Sequence, residues 1–281
     1  MKKPWVVGTV AILLLTGVAF FLLNNLQKPS VPIDEKEPAT QSLSDQTTNS
    51  QMIASFGEFD VDNELIQYYE GALGYYAKPK VEGSYSGVVM IHEWWGLNRN
   101  IKDMADRLAS NGYLVLAVDL YNGKVAQTSD EARELTSSLD QEKALNNMKA
   151  AIEFLRKDGA VKLASLGWCF GGGQSLQLAL SGQELDATVI YYGTLVTDTE
   201  KLSVIKWPVL GIFGETDTSI PVETVNEFYQ SLQKLNIENE IKVYPGVGHA
   251  FANPSGQNYA PNETKEAWNK TLVFLNESLK K

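Results

Sequence analysis

The most informative stretch of this sequence is Val161-Lys162-Leu163-Ala164-Ser165-Leu166-Gly167-Trp168-Cys169-Phe170-Gly171-Gly172. Its first six residues have the apolar character of a short buried strand, and residues 174–180 have that of a helix. The only cysteine of the chain, Cys169, therefore lies on a sharp turn between a strand and a helix. Glycines flank it, and a Cβ atom at their positions would collide with the neighbouring strand or helix once the turn is strained. This pattern predicts a nucleophile held at a strained turn.

The same pattern is typical of the α/β-hydrolase fold, in which the nucleophile stands on such a turn. A cysteine in place of a serine predicts acyl transfer through sulfur. A lone cysteine can also be a small, buried, apolar side chain with no chemistry of its own. The choice between these two interpretations depends on whether a base and an acid accompany the thiol.

The rest of the domain alternates between predicted strands and predicted helices. After an opening hairpin at 68–78, strands are expected at 87–91, 113–118, 161–166, 186–192, 208–213 and 240–244. Helices are expected at 98–110, twice within 129–157, from 174 onward, at 221–235 and at 263–279. Such alternation implies a mostly parallel sheet with helices on both faces. We therefore predict an α/β chain with the α/β-hydrolase fold, whose ligands bind at the carboxyl ends of the strands.

The first 26 residues are predicted to form a membrane-spanning helix. Lys2 and Lys3 precede a stretch without charged residues at 5–23, close to the ~20 residues that cross a bilayer. No small-x-small cleavage motif follows, which favours an uncleaved anchor over a cleaved signal peptide. Residues 27–55 are rich in polar residues and proline, and are expected to be a flexible linker. Both alternatives put the domain at 56–281 outside the cytoplasm, either anchored to the membrane or secreted.

The composition excludes several classes of function. The chain has 281 residues and a net charge of −10, which argues against a nucleic-acid partner. One cysteine cannot form an internal disulfide, and two histidines exclude a multi-histidine metal site. We expect no metal and no other cofactor. The sequence does not indicate an oligomeric state.

Asp217 and His249 are the predicted partners of Cys169. They follow the strands predicted at 208–213 and 240–244, so all three residues are expected at one edge of the sheet. The chain order of nucleophile, acid and base is that of an α/β-hydrolase triad. His249 would take the thiol proton, and Asp217 would orient the imidazole and stabilise its cation. Glu215 is an alternative acid, and each partner taken alone is also consistent with a structural role.

The loop after the strand at 87–91 supplies a fourth candidate, Glu93. In this fold the loop contributes half of an oxyanion hole, and we expect the backbone N–H groups of Trp94 and Phe170 to be the two donors. His92 is interpreted as structural. Trp94 and Trp95 are equally consistent with core packing and with the wall of an aromatic pocket.

The chain resembles the dienelactone hydrolase family over residues 68–279. The motifs that carry the resemblance are Ile91-His92-Glu93-Trp94-Trp95-Gly96, Ala117-Val118-Asp119-Leu120-Tyr121, Gly167-Trp168-Cys169-Phe170-Gly171-Gly172, Gly214-Glu215-Thr216-Asp217 and Gly248-His249-Ala250-Phe251. The resemblance implies that an ester or lactone is opened through an acyl-thioester intermediate. It also implies triad roles for Cys169, His249 and Asp217, with Glu93 contacting the resting thiol and swinging away when substrate binds.

Two positions depart from the family pattern. The dienelactone enzymes hold the substrate carboxylate with arginines, and the corresponding positions here are Asn253 and the segment Asn122-Gly123-Lys124. An amide lacks the charged, forked donors of a guanidinium. A neutral ester or lactone is therefore the expected substrate, in a pocket predicted to include Trp95, Tyr121, Lys124 and Asn253.

The leading hypothesis is a membrane-tethered hydrolase that cleaves a small ester or lactone with a Cys-His-Asp triad. The alternative is a hydrolase-like protein that binds a small molecule or an envelope component without turnover. Thiol redox chemistry is a weaker alternative, since the chain has no second cysteine to resolve an oxidised sulfur.

Overall fold

The computed structural model describes residues 57–280, together with Met1 and Val31. The strands are β1 (Val61–Tyr69), β2 (Ala72–Pro79), β3 (Ser86–Ile91), β4 (Tyr113–Val118), β5 (Leu163–Trp168), β6 (Ala187–Tyr191), β7 (Val209–Gly214) and β8 (Asn239–Tyr244). The helices are α1 (Arg99–Ala109), α2 (Ser129–Ser137), α3 (Gln141–Lys157), α4 (Phe170–Leu180), α5 (Thr199–Leu202), α6 (Val222–Lys234) and α7 (Pro261–Leu279).

The strands of the described region form an eight-stranded sheet in the order β1-β2-β4-β3-β5-β6-β7-β8. β2 pairs antiparallel with both β1 and β4, and the pairs from β4 onward are parallel. The register aligns Ile91 with Gly167 and Trp168 with Tyr191. The loops that follow β3, β5 and β6 therefore leave the sheet side by side at its carboxyl edge.

Helices cover both faces of the sheet because successive strand residues point to opposite sides. On β3, Val89 and Ile91 face one core, which they share with α3, α4, α5 and α6. Val88 and Met90 face the other core, which contains α1 and α7. The mostly parallel sheet with helices on both faces agrees with the predicted α/β-hydrolase fold.

Three elements differ from the prediction. α4 begins directly after Cys169 rather than at residue 174, because the glycines form its first turn instead of a loop. The hairpin begins at Val61 rather than at residue 68, since the early residues of β1 are exposed and show no apolar alternation. α5 has only four residues, too few for an apolar period to reveal it.

The predicted membrane segment at 1–26 and linker at 27–55 lie outside the described residues, apart from Met1 and Val31. In the part of the chain that is described, no helix combines the length and apolar character needed to cross a membrane. Val31 is buried, and its N–H donates a hydrogen bond to Oδ1 of Asn226 on α6, at 2.9 Å. This one residue of the predicted linker is therefore docked on the domain.

Candidate active site

Cys169 occupies the strained turn that its sequence context predicts. It has φ 53° and ψ −117°, a conformation that non-glycine residues adopt rarely and at a cost of roughly 1–3 kcal/mol. Two backbone hydrogen bonds hold it: its N–H donates to the Tyr191 carbonyl at 3.0 Å, and its carbonyl accepts from the Gly173 N–H at 3.1 Å. These bonds tie the turn to β6 on one side and to α4 on the other.

The flanking glycines allow the turn to pack against the neighbouring strands. A Cβ on Gly167 would overlap the carbonyl oxygen of Gly171, and a Cβ on Gly171 would overlap that of Ile91. A Cβ on Gly172 would lie 2.5 Å from the Tyr191 carbonyl oxygen. The start of α4 is thus wedged between the ends of β3 and β6, which brings the thiol to the carboxyl edge of the sheet.

The structure brings Cys169, His249 and Asp217 into one hydrogen-bonded chain. Nε2 of His249 lies 3.0 Å from the Cys169 Sγ, and Nδ1 of His249 lies 2.8 Å from Oδ2 of Asp217. The other oxygen of Asp217 accepts hydrogen bonds from the N–H groups of Ser219 and Ile220. Because its side chain is fully buried, Asp217 is fixed against the imidazole.

The alternative acid, Glu215, points elsewhere. It is exposed, and its carboxylate accepts a hydrogen bond from the Gly246 N–H at 2.8 Å. Among the described residues, Asp217 is therefore the carboxylate that contacts the His249 ring.

The electrostatics of the site favour a charged imidazole. Burial alone would lower the pKa of His249, but its hydrogen bonds to Asp217 and Cys169 outweigh burial and raise that pKa to about 10. The ring that lies against the Cys169 sulfur is therefore strongly basic.

Glu93 is buried next to this chain of three residues. It lies two residues beyond Ile91 on β3, just as Cys169 lies two residues beyond Gly167 on β5. Burial raises the pKa of Glu93 to about 7, and the charge of His249 and a hydrogen bond from Asn253 oppose that shift. Nδ2 of Asn253 donates to Oε2 of Glu93 at 2.6 Å. The contact between Glu93 and the resting thiol, implied by the family resemblance, is replaced here by this contact with Asn253.

The two predicted oxyanion donors are the backbone N–H groups of Trp94 and Phe170. Phe170 is the first residue of α4, where a backbone N–H has no partner within the helix. Within the described residues, neither the Phe170 N–H nor the Trp94 N–H donates a hydrogen bond. Trp94 lies in the loop after β3, and Phe170 directly follows Cys169 at the start of α4.

The four residues of the predicted substrate pocket lie in different surroundings. Tyr121 is buried, its ring packs 4.7 Å from that of His92, and its hydroxyl is 3.1 Å from Oγ1 of Thr136. Asn253 is also buried and binds Glu93 instead of lining an open pocket. The polar atoms of both side chains are thus used inside the protein, as those of buried polar groups generally are.

Trp95 and Lys124 are the more accessible of the predicted pocket residues. Trp95 is half-buried, with its ring 5.1 Å from that of Trp94 in an edge-to-face arrangement. Lys124 is exposed and borders a cavity of about 350 Å³ together with Tyr121, Leu139 and Lys143. Cys169 and His249 do not line this cavity.

His92 has the structural role that was predicted. It is fully buried, its Nε2 accepts from the Leu120 N–H at 3.2 Å, and its Nδ1 lies 2.6 Å from the Glu93 carbonyl oxygen. Burial lowers the pKa of His92, so the ring is neutral with its proton on Nδ1. The ring thus joins the loops that follow β3 and β4.

Tyr192 is a residue of the site that sequence reasoning missed. Its ring lies 5.3 Å from the His249 ring, and it has a positive φ of 34°. Its hydroxyl is buried beside the backbone of Ala252. Burial and the nearby Glu93 and Cys169 raise the pKa of Tyr192 well above its ordinary value, so it remains a neutral phenol. Tyr192 directly follows β6, and its proximity to Cys169 becomes clear only once β6 is known to pair with β5.

A cysteine on a strained strand-to-helix turn, with a histidine and an aspartate at the ends of neighbouring parallel strands, defines the α/β-hydrolase class. Within this class, residues 73–279 match the dienelactone hydrolase family. The chain therefore belongs to the dienelactone hydrolase family and is a hydrolase of ester or lactone bonds. Family membership favours hydrolysis over the alternative of binding without turnover.

Known relatives cover most of the domain. The chain is 35% identical over 217 residues to Protein usf of Aquifex pyrophilus, which covers 73% of this chain and 93% of that protein. It is 32% identical over 227 residues to a Saccharolobus solfataricus protein provisionally named carboxymethylenebutenolidase, covering 67% of this chain and 88% of the relative. A crystal structure of a protein from Klebsiella pneumoniae, provisionally named a dienelactone hydrolase, is similar with a TM-score of 0.70 and 28% identity. That likeness covers 78% of this chain and 99% of the other.

Proposed function

We propose that this protein hydrolyses a small, neutral ester or lactone, with Cys169, His249 and Asp217 as its catalytic triad. The observation that carries the proposal is the 3.0 Å distance between the Cys169 sulfur and Nε2 of His249. The raised pKa of His249 supports it, because a strongly basic imidazole next to the sulfur can take the thiol proton.

The reaction has two steps. In the first, His249 holds the thiol proton while the Cys169 sulfur forms a bond to the substrate carbonyl carbon. The ester or lactone C–O bond then breaks, and the leaving oxygen takes the proton from His249. In the second, water gives a proton to His249 and adds to the thioester carbon, after which the C–S bond breaks and the acid leaves.

The negative oxygen formed in each step needs hydrogen-bond donors. The backbone N–H groups of Trp94 and Phe170 are the proposed donors. Trp94 lies in the loop after β3, Phe170 directly follows Cys169, and neither N–H has another partner in the described region. One donor of this kind lowers the barrier by roughly 3–4 kcal/mol in enzymes where its loss has been measured.

A neutral substrate fits the charges around the site. The position four residues after His249 carries the amide of Asn253, which already binds Glu93. Lys124 is exposed and lies on a separate cavity that does not include Cys169. Apart from the His249 imidazole, which the reaction itself uses, a substrate carboxylate would therefore lack a fixed cationic partner beside the thiol among the described residues.

The test is hydrolysis of a neutral ester such as phenyl acetate by the detergent-solubilised full chain. We expect turnover, and we expect mass spectrometry of the rapidly quenched protein to show an acetyl group on Cys169. The Cys169→Ala variant should lose both signals. Ser181→Ala, at the far end of α4, is the matched control and should keep them. Turnover by Cys169→Ala, or an acyl group on another residue, would refute the proposal.

We further propose that residues 1–26 anchor the protein in a membrane with the hydrolase domain outside the cytoplasm. The support is the uncharged stretch at 5–23 that follows Lys2 and Lys3. The proposal predicts that the full chain sediments with membranes and that protease added outside intact cells digests the domain. Recovery of the full-length chain in the soluble cytoplasmic fraction would contradict it.

A further inference from the structure

Ser255 fixes the orientation of the Asn253 amide group independently of the contact with Glu93. Its Oδ1 accepts two hydrogen bonds from Ser255, one from the N–H at 2.9 Å and one from the hydroxyl at 2.7 Å. With the oxygen end occupied by two donors, the Nδ2 end faces Oε2 of Glu93 at 2.6 Å. The backbone of Asn253 is also fixed, since its N–H donates to the Ala250 carbonyl at 3.0 Å. The amide is therefore a preorganised donor for the carboxyl group.

The surroundings of Glu93 contain no cation other than the imidazole. Its ionisation depends on burial, on the charge of His249 and on the hydrogen bond from Asn253. No lysine or arginine of the described region contributes, and the buried phenol of Tyr192 is a neutral neighbour. Asn253 thus satisfies one carboxyl oxygen without adding a charge.

The two contacts occur together. Glu93 binds Asn253 while the Cys169 sulfur lies against His249, and no hydrogen bond joins the carboxyl group to the thiol in the described structure. If Glu93 lost its amide donor, the Cys169–His249 pair would be a competing partner for the carboxyl group, since His249 lies close enough for its charge to act on Glu93. A buried acceptor without a donor is unfavourable by about 1–3 kcal/mol, which is enough to draw the carboxyl group toward that pair.

We infer that Asn253 is a positioning residue: oriented by Ser255, it holds Glu93 away from Cys169, so that the thiol is paired with His249 before any substrate binds. The enzyme then needs no anionic group on its substrate to prepare the nucleophile. The pairing of Cys169 with His249 does not depend on the proposed function, whereas the statement about substrate charge rests on it.

The first experiment measures the state of the thiol without any ester. The full chain is treated with iodoacetamide, a neutral alkylating reagent, and the rate at Cys169 is followed with the ultraviolet absorbance of the thiolate. We expect Asn253→Ala to slow alkylation about tenfold and to weaken the absorbance. Asn111→Ala removes an amide at the far end of the sheet and should leave both unchanged.

A double variant separates positioning from a general structural role. When Glu93→Gln is added to Asn253→Ala, no carboxyl group remains to move, so alkylation should return to within about threefold of the Glu93→Gln rate. Ser255→Ala removes one donor to the Asn253 oxygen and should slow alkylation to a smaller extent, which provides a milder variant if Asn253→Ala does not fold. Native alkylation rates in Asn253→Ala and Ser255→Ala, or a double variant that stays slow, would overturn the inference.

The second experiment compares phenyl acetate with its 4-carboxyphenyl analogue, which adds one negative charge. We expect the native chain to favour the neutral ester in kcat/KM, and Asn253→Arg to shift the ratio toward the anionic ester by about tenfold. An unchanged ratio in Asn253→Arg would reject the link to substrate charge. If the native chain hydrolysed neither ester, the proposed function would fail for these substrates, while alkylation would still decide the role of Asn253.

Discussion

Glu93 is the residue whose burial has the largest consequence for pH dependence. The pKa of this carboxyl group is raised from 4.5 to about 7, chiefly because it is buried. A group that holds its proton more tightly in the folded chain stabilises the fold at low pH. That contribution is complete below the unfolded pKa and is lost as the pH rises through the folded pKa. Between these two values, the native chain should therefore become less stable as the pH increases.

Glu93→Gln removes this dependence because an amide does not ionise. We expect the free energy of unfolding of the variant, relative to that of the native chain, to rise by up to about 3 kcal/mol as the pH increases from about 5 to about 8. Urea unfolding at the two pH values measures the difference. Glu153→Gln, on the exposed side of α3, is the control and should show no such gain. A Glu93→Gln variant whose stability followed that of the native chain at both pH values would mean that Glu93 ionises as an exposed carboxyl does.

Asp217 should be required for catalysis, because its hydrogen bond helps to raise the pKa of His249. Asp217→Asn should reduce kcat for a neutral ester by about a hundredfold or more, since an amide cannot stabilise the imidazolium. Glu215→Gln, at the exposed acid two residues earlier, should change kcat by no more than about threefold. Comparable losses in the two variants would contradict the role given to Asp217.

At the scale of elements, the first turn of α4 is the critical junction. It lies between the ends of β3 and β6 and presents Cys169 at a positive φ. Gly171 and Gly173 belong to the same helix but have different surroundings. A Cβ on Gly171 would overlap the Ile91 carbonyl oxygen, whereas a Cβ on Gly173 would meet its nearest neighbour, the Thr194 nitrogen, at 3.4 Å.

Gly171→Ala should therefore be destabilising by about 2–4 kcal/mol and should lower activity, since the turn must move away from β3. Gly173→Ala should be close to neutral, or stabilising by up to about 1 kcal/mol, because alanine favours the helix. Urea unfolding and ester hydrolysis of both variants provide the measurement. Equal stability of the two variants would show that the junction tolerates a wider turn.

At the scale of the whole molecule, the described domain contains every residue of the candidate site. The sheet runs from Val61 to Tyr244, and the earliest residue of the site is Glu93. Val31 also contacts the domain, through its buried side chain and its hydrogen bond to Asn226.

A chain that begins at Gly57 should keep the kcat/KM of the full chain for a neutral ester. Its free energy of unfolding should be lower by about 1–3 kcal/mol, the contribution expected from burying one valine side chain. A chain that begins at Val31 is the matched comparison and should recover part of this difference. Loss of activity in the shorter chain alone would show that the preceding residues contribute to the site.

The sequence by itself determined the alternation of strands and helices, the strained turn at Cys169, and His249 as its partner, with Asp217 and Glu215 as the two candidate acids. These features follow from local rules, since apolar periodicity, glycine sterics and the order of residues after strands act over a few positions. The tertiary structure alone decided that Asn253 binds Glu93, that the Tyr121 hydroxyl turns to Thr136, and that Tyr192 packs on His249. Such contacts join residues far apart in the chain, and they depend on strand order and on which buried polar group lies within reach of another. Local sequence patterns contain no information about strand order or about which buried polar groups come into contact.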